Sequence, residues 1–362
     1  MTSEWNWVKE RADMIAHDAG GLETPYHTQD SYYTSNDRFF VCSLRTPRID
    51  VAGYRLIVHG DAVGKSLALS YEDLLSMPQH VLPAYIECAG NHRSMFETVL
   101  GKRLDKRPQL IELRWGLGAV GMAEWKGVRM RDVLELAQIT PQALHVCPVG
   151  LDTDVEEGGA SIPLPVDKAM DPDTLLALSM NGDPLPPDHG FPVRVITPGW
   201  VGTFSIKWLG SIRVTSEKQW VQRNTKSYVL MGPDWPAENY APADGAPITR
   251  QTIKSSLALQ WPARLRRGNQ NIHGFARSPD SVISRVEWSA DGGETWRDAK
   301  LTGPNLRYAW VRFELQWDAP VGEQVLMTRA SDTAGNTQPR SVPFNDGGYL
   351  FNMVHPHPVV VE

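Results

Sequence analysis

The spacing of apolar and polar residues changes character near residue 250 of this chain. Before that point, helical and extended patterns alternate. Residues 51–60 alternate enough to predict a strand. Residues 70–76 predict a short helix, with Ser70 as its N-cap and Asp73 completing a capping box. Apolar residues at helical spacing predict a second helix over residues 130–138.

Three other segments of this first part follow neither pattern for long. Residues 1–35 are a polar leader, in which residues 5–17 predict a short helix. Glycines and prolines punctuate residues 188–200 and predict a loop, a short strand and a turn. Residues 233–247 are rich in Pro, Ala and Asp and predict an extended crossing segment.

From about residue 255 onward the chain consists of short strand patterns. Four apolar residues alternate with polar neighbours at Val311, Phe313, Leu315 and Trp317, and the 291–293 turn predicts a hairpin. Such spacing is typical of an immunoglobulin-like β-sandwich, here without an internal disulfide. We therefore expect an α+β chain, with a mixed α/β domain over 1–250 and an immunoglobulin-like β-sandwich over 251–362.

Composition excludes several classes of partner. The chain has 362 residues and a formal net charge of -6, so we expect two domains and no nucleic-acid binding. No apolar run approaches the roughly 18–20 residues of a membrane span. Since the N-terminus carries no visible export signal, we expect a cytoplasmic protein, and a periplasmic location stays open if the chain is a processed form.

Cysteine chemistry, if present, involves single residues. The chain has three cysteines, Cys42, Cys88 and Cys147, and no C-x-x-C pair. Cys88 ends a short apolar strand in the sequence YIECAGNHR (85–93), just before a Gly-Asn turn. His92 and Arg93 follow closely and are expected to lower its pKa toward the thiolate that binds metals. The alternative is a buried structural cysteine, which is the role we expect for Cys147.

A second set of candidates is cationic. His189 and Arg194 flank a Gly-Phe-Pro turn and are placed to clamp an anionic group, since an arginine fork fits phosphate. Lys207 would add a third cation if the chain folds back, although Arg194 and Lys207 are equally compatible with ordinary strand positions. Asp152 is either an acceptor for the N–H groups of a heterocycle or a turn residue. The H-P-H-P stretch at 355–358 is interpreted as an extended tail rather than a metal site.

Several segments occur in one order along nearly the whole chain: ECAGNHR, WGLGAVGMAEWKGVRMRDVL (115–134), GASIPL (159–164) and MNGDPLPPDHGFPVRVITPG (180–199), which continues to SIKWLG. Together they resemble the sulfite oxidase family of molybdenum enzymes. VEWSADGGETWRDAKL and RASDTAGNTQP resemble the family's dimerisation domain. Several long motifs in the same order are far more specific than any single one.

The resemblance implies a function and a set of site residues. Cys88 would bind the molybdenum of a molybdopterin cofactor, through soft sulfur ligation that suits a redox metal. Arg93 would attract an oxyanion beside the metal, and Trp115 and Tyr228 would lie in the substrate pocket. The reaction implied is oxidation of sulfite to sulfate by oxygen-atom transfer, with electrons passed to an external acceptor such as a cytochrome. A homodimer is also implied. The residues that would hold the pterin and its phosphate are Asp152, Ser161, His189, Arg194, Ser205 and Lys207.

Three positions depart from the family's anion pocket. Cys42 replaces an arginine, Thr225 falls on the pocket tyrosine, and Gly347 falls on a third arginine. Arg45 and Tyr228 are nearby candidates to compensate. The departures motivate a second hypothesis, the same cofactor with an S-oxide, nitrate or a carrier-bound sulfur species as substrate. A third hypothesis, from another class, is a non-catalytic binding protein that uses its Trp-rich C-terminal strands for partner contacts.

Overall fold

The computed structural model describes residues 13–17, 20–42, 45–104, 106, 113–153 and 158–362. Helices are few and short in this part of the chain, and none is long and apolar enough to cross a bilayer. The α-helices are α1 (Tyr71–Ser76), α2 (Met95–Thr98), α3 (Met130–Leu136) and α4 (Val166–Ala169). Single turns of 3₁₀ helix lie at Tyr26–Thr28, Pro187–His189, Gly202–Phe204 and Ala237–Asn239, and Arg223–Ser227 forms a π-helical turn.

Strands make up most of the remaining regular structure. In the first part of the chain they are β1 (Ile15–Ala16), β2 (Gly21–Glu23), β3 (Val41–Cys42), β4 (Leu56–His59), β5 (Leu67–Leu69), β6 (His80–Glu87), β7 (Val120–Arg129), β8 (His145–Gly150), β9 (Leu164–Pro165), β10 (Leu175–Met180), β11 (Asp183–Pro184), β12 (Arg194–Ile196), β13 (Leu209–Thr215), β14 (Val229–Leu230) and β15 (Ala246–Pro247). In the second part they are β16 (Lys254–Leu257), β17 (Ala263–Leu265), β18 (Gly268–Arg277), β19 (Ile283–Ser289), β20 (Arg297–Asp298), β21 (Lys300–Thr302), β22 (Trp310–Ala319), β23 (Gly322–Asp332) and β24 (His357–Val361).

Two five-stranded sheets form the frame of the first domain. One has the order β11-β10-β7-β6, with β12 pairing β10, and is antiparallel. The other has the order β5-β4-β13-β8-β9 and is mixed, since β13 runs parallel to β4. Side chains from both sheets and from α3 meet in one core, where Leu56, Val128, Val133, Leu176 and Ile212 are fully buried. Burial of this apolar surface holds the two sheets together.

The second domain is a β-sandwich. Its sheets have the orders β16-β18-β22-β21 and β17-β24-β23-β19-β20. The alternating residues of β22 point into the core between the sheets, where Val311, Phe313, Leu315 and Trp317 are all buried. An immunoglobulin-like sandwich following a mixed domain is the α+β architecture expected from the sequence. The exact boundary at 250/251 stays a prediction.

Local sequence signals located several elements correctly. Ser70 caps α1, and its side chain and that of Asp73 form the reciprocal hydrogen bonds of a capping box. The helix predicted over 130–138 runs over Met130–Leu136. The 188–200 segment contains the predicted short strand, β12, between turns. The turn at 291–293 connects β19 to β20, which pair in antiparallel register.

Other predictions of local structure were wrong. Residues 5–12 of the predicted leader helix lie outside the described residues, and Ile15–Ala16 is a strand because it pairs with β2. The strand predicted over 51–60 is shorter, since a turn that Asp50 stabilises occupies its first residues. The 233–247 segment is not uniformly extended, because it contains a 3₁₀ turn and β15.

The prediction of an extended C-terminal tail at 355–358 was also wrong. His357 begins β24, which pairs with both β17 and β23 inside the sandwich. His355 and His357 are buried, and His357 Nε2 lies 2.7 Å from the Gln260 carbonyl oxygen. Burial lowers the pKa of each imidazole to about 4. These histidines are neutral structural residues at neutral pH.

Candidate active site

A partly open cavity with about 110 Å³ of internal space lies in the first domain. Concave sites of this kind are where small molecules and cofactors bind. The cavity gathers predicted site residues from two strands, a 3₁₀ turn and several loops that are far apart in sequence. Those that line it are Cys42, Cys88, Asp152, His189, Arg194, Ser205, Lys207 and Tyr228.

Cys88 is the residue immediately after β6. Its backbone is fixed from both sides: Cys88 N–H donates to the Ala119 carbonyl at 2.9 Å, and Asn91 N–H donates to the Cys88 carbonyl at 3.0 Å. The Cys88 side chain is half-buried and faces the cavity. This backbone arrangement presents one sulfur atom from a rigid strand end.

Cys42 ends β3 and contacts Cys88 in the cavity, a pairing that sequence spacing did not reveal. The hydrogen bond between the two thiols lowers the pKa of Cys42 to about 6, and the same contact raises that of Cys88. The expected net lowering of the Cys88 pKa was therefore wrong. Arg93 does act in that direction, but the Cys42 contact and burial outweigh it. His92 instead points toward Ser256 of the sandwich.

Arg194 supplies a buried positive charge at the cavity wall. Its guanidinium donates to the His189 carbonyl at 3.0 Å and the Ser205 carbonyl at 3.1 Å, and its centre lies 5.0 Å from the Trp125 ring. Arg194 Nε is buried and has no hydrogen-bond partner among the described residues. Burial lowers the pKa of Arg194, yet an arginine stays charged at neutral pH. A buried, charged donor at the cavity wall that is not used by the protein is suited to bind an anion.

Lys207 lies next to Arg194, and the turn at Gly190 lies against both side chains. Lys207 Nζ donates to the Asp188 carbonyl at 2.9 Å. Burial, with a contribution from the Arg194 charge, lowers the pKa of Lys207 to about 7. Gly190 has φ +106°, and a Cβ there would come within 3.0 Å of the Cβ atoms of both cations. A glycine at this turn lets the two positive side chains pack closely.

The remaining predicted cofactor residues are a histidine, an aspartate and two serines. His189 is buried, with Nε2 at 3.1 Å from the Asn36 carbonyl oxygen. Asp152 accepts a hydrogen bond from Ala160 N–H at 3.0 Å, and Ser205 Oγ accepts one from Thr197 N–H at 3.2 Å. Ser161 does not line the cavity; its neighbour Ala160 does.

Two predicted catalytic residues lie behind the cavity wall. Arg93 is buried and donates to the carbonyls of Gly347 at 3.0 Å and Leu113 at 2.8 Å. Its charge nevertheless acts on the sulfur atoms of both Cys42 and Cys88. Trp115 is fully buried and packs against Phe40, which does line the cavity. Neither side chain is part of the described wall.

Arg223 is a cavity residue that sequence reasoning missed. It begins the π-helical turn Arg223–Ser227, and its Nη1 donates to Thr203 Oγ1 at 2.9 Å. π-helical turns often occur at functional sites. The turn brings Arg223 and Tyr228 to the wall, whereas Thr225 donates its hydroxyl to the Val221 carbonyl. The only feature of the sequence that could have identified this residue was the presence of an arginine in a loop whose register with the family motif was uncertain.

The residues present fit a molybdopterin cofactor. A thiol sulfur on a rigid strand end is a suitable ligand for a redox metal. The unpartnered Arg194 Nε, with Lys207 beside it, suits a phosphate group. Cys88 would hold the metal, and the Arg194 region would hold the phosphate. The fold and the donor set are thus those expected of a molybdopterin-binding protein.

Comparison with known proteins leads to the same class. Residues 43–222 match the oxidoreductase molybdopterin-binding domain, and residues 249–362 match the Mo-co oxidoreductase dimerisation domain. Mitochondrial sulfite oxidase of Mus musculus is 37% identical over 90% of this chain and 61% of its own length. Sulfite oxidase of Gallus gallus is 36% identical over 86% of this chain and 69% of its own length.

The sulfane dehydrogenase SoxCD from Paracoccus pantotrophus superposes with a TM-score of 0.81 at 26% identity, covering 98% of this chain and 89% of the other. This chain belongs to the sulfite oxidase family of molybdenum-cofactor oxidoreductases. It spans about three fifths of the length of the mouse enzyme. Family membership favours an enzyme over the non-catalytic binding protein.

Proposed function

We propose that this protein oxidises a small sulfur oxyanion, sulfite first, by oxygen-atom transfer at a molybdenum centre. The observation that carries the proposal is the cavity itself, which is lined by the Cys88 thiol and by the basic residues Arg194, Lys207 and Arg223. Anionic substrates concentrate in a concave site of positive charge. The bound cofactor supplies the metal that accepts the two electrons of the oxidation.

Each side chain has a separate task in this proposal. Cys88 holds the metal, and Arg194 and Lys207 hold the cofactor's phosphate, which restores the charge of Lys207. Arg223 binds the anionic substrate. Tyr228, whose pKa burial raises, stays a neutral hydroxyl that donates a hydrogen bond to an oxyanion. Arg93 contributes positive potential from behind the wall through its effect on Cys88.

Cys42 and Gly347 stand at positions where the family has arginines, so the pocket lacks positive charge there. Arg223 replaces some of that charge. We expect Arg223→Ala to lower kcat/KM for sulfite by roughly 10- to 150-fold, mostly through KM, because one charge-assisted hydrogen bond is lost. Arg131→Ala, on α3 away from the cavity, is the matched control. The assay is sulfite-dependent reduction of an artificial acceptor by metal-loaded protein. Wild-type protein that carries molybdenum but does not oxidise sulfite would contradict the sulfite proposal.

A second candidate substrate is another sulfur compound. Its support is the Cys42 thiol, which lines the cavity where the family places an arginine, and the close structural match to an enzyme described as a sulfane dehydrogenase. A panel of sulfite, S-oxides, nitrate and sulfane-sulfur compounds, offered to oxidised and reduced enzyme, separates the candidates. Turnover of sulfite alone, with a micromolar KM, would reject the second candidate.

Partners and location are also proposals. We infer a homodimer formed through the C-terminal domain, whose sequence matches a dimerisation domain. Exposed Val325 on β23 and exposed Val321 in the turn before that strand offer apolar contact area. Light scattering that shows only monomer at micromolar concentration contradicts the dimer. Electrons are proposed to leave to an external carrier such as a cytochrome, and a cytoplasmic location stays a prediction.

A further inference from the structure

A buried cluster of charges connects the C-terminal sandwich to the strand end that carries Cys88. Glu87, the last residue of β6, is fully buried. Arg277 binds its carboxylate with two hydrogen bonds, of 2.7 and 2.8 Å, and Lys254 Nζ donates to it at 2.6 Å. Asn91 adds a fourth hydrogen bond at 2.9 Å. The Glu87 carbonyl accepts another from Gln251 at 2.6 Å.

The sandwich brings its two cations together by strand register. Lys254 on β16 and Arg277 on β18 are directly opposed partners in an antiparallel pair. Like charges directly opposed across strands repel each other. Glu87 from the first domain compensates both cations, and their charges outweigh burial and lower the pKa of its carboxyl group to about 2. The contact between the domains therefore pairs one buried carboxylate with both buried cations.

The cluster is coupled to Cys88 in two ways. The Asn91 side chain links Glu87 to the loop: its Nδ2 donates to Glu87, and its Oδ1 accepts from Ala119 N–H at 3.0 Å. Ala119 in turn accepts the hydrogen bond from Cys88 N–H. In addition, Lys254 interacts electrostatically with the Cys88 sulfur. One carboxylate faces two cations, so the three charges sum to +1.

We propose that Glu87, Lys254 and Arg277 are positioning residues through which the C-terminal domain fixes Cys88 and places a net positive charge behind its sulfur. The inference rests on Cys88 as the molybdenum ligand of the proposed function. Positive charge near a metal–thiolate centre stabilises its more reduced, more negative state. The C-terminal domain thus sets the reduction potential of the metal as well as joining two subunits.

Two variants change the local charge in opposite directions. Lys254→Met takes the sum from +1 to 0, and Glu87→Gln takes it to +2. In molybdenum-loaded enzyme, we expect the molybdenum midpoint potentials to fall in K254M and to rise in E87Q. A redox titration monitored by electron paramagnetic resonance measures these potentials. Glu287→Gln is the control, because Glu287 binds Arg329 in the same sandwich at 2.7 and 3.0 Å.

A second measurement reports positioning without the metal. Amide hydrogen exchange of the 86–92 segment, in the protein as purified, should be roughly tenfold faster in K254M and E87Q than in wild type and E287Q. Opposite potential shifts with faster exchange support the proposal. Unchanged potentials and unchanged exchange, or shifts in the same direction, overturn it. Wild-type protein without molybdenum overturns the proposed function instead, and exchange rates then still decide the positioning role.

Discussion

Two buried arginines of this protein have opposite surroundings. Arg277 is fully buried and forms a two-point ion pair with Glu87. Arg194 is 5% exposed, donates to two backbone carbonyls, and has no carboxylate within ion-pair distance among the described residues. A protein rarely buries a charge without compensation, because desolvation is costly. The difference indicates that the charge of Arg277 is compensated within the chain, and it supports our proposal that Arg194 binds an anion from outside the chain.

The largest expected effect is the loss of stability when the buried ion pair between Arg277 and Glu87 is broken. In cofactor-free protein, Arg277→Met should lower the free energy of unfolding by about 3–5 kcal/mol, because it removes the main partner of a buried carboxylate. Arg194→Met should leave stability unchanged or raise it, since it removes an uncompensated charge. Urea unfolding of both variants measures this. A similar loss in both would erase the contrast between the two arginines.

The next effect concerns the cofactor. Arg194→Met should weaken cofactor retention by about 1.5–3 kcal/mol, which is the value of a hydrogen bond to a charged group. Molybdopterin per chain, measured after extensive dilution, should fall in R194M and stay at the wild-type level in Arg131→Met. If R194M keeps its full cofactor, the anion does not sit at Arg194.

A pH effect follows from Lys207. Burial lowers its folded-state pKa to about 7, while the unfolded chain keeps the ordinary value near 10.5. Between these values the unfolded state binds more protons, so the stability of cofactor-free protein should rise with pH, by at most about 1.4 kcal/mol per pH unit. Lys207→Met should lose this slope, and so should the cofactor-loaded wild type, where a phosphate restores the charge. Unfolding curves between pH 7 and 9 test both, and equal slopes in all three proteins contradict the account.

The smallest expected effect concerns a second ion pair of the sandwich, which is more exposed to solvent. Arg329 and Glu287 form an ion pair like that of Arg277 and Glu87, but Arg329 is 22% exposed. Solvent screening makes such pairs weak, so Arg329→Met should cost about 1 kcal/mol or less. A cost as large as that of Arg277→Met would mean that burial does not distinguish the two pairs.

Several elements of the fold and several candidate site residues could be predicted from the sequence, because the patterns that indicate them are local. The capping box at Ser70 and the alternation over 311–317 depend only on near neighbours. Cys88 was selected as a candidate because its strand, its turn and its motif are contiguous. Roles for Asp152, His189, Arg194 and Lys207 were assigned by resemblance and stay predictions, and the cavity brings all four side chains together.

The rest depended on contacts between distant segments. Glu87 and Arg277 are 190 residues apart, and nothing near either residue identifies its partner. The Cys42–Cys88 contact, which reversed the expected direction of the Cys88 pKa, arises only when β3 and β6 meet at the cavity. Arg223 reaches the wall through a π-helical turn, which shifts the register that simple counting assumes.

The central claim is that Cys88 holds molybdenum in this cavity. Elemental analysis of wild type and Cys88→Ser, both expressed in a host that makes the cofactor, tests it most directly. We predict about one molybdenum per chain in wild type, as expected for one thiolate ligand and one cofactor, and a large loss in C88S. Wild-type protein without molybdenum, or C88S with the wild-type amount, would contradict the claim.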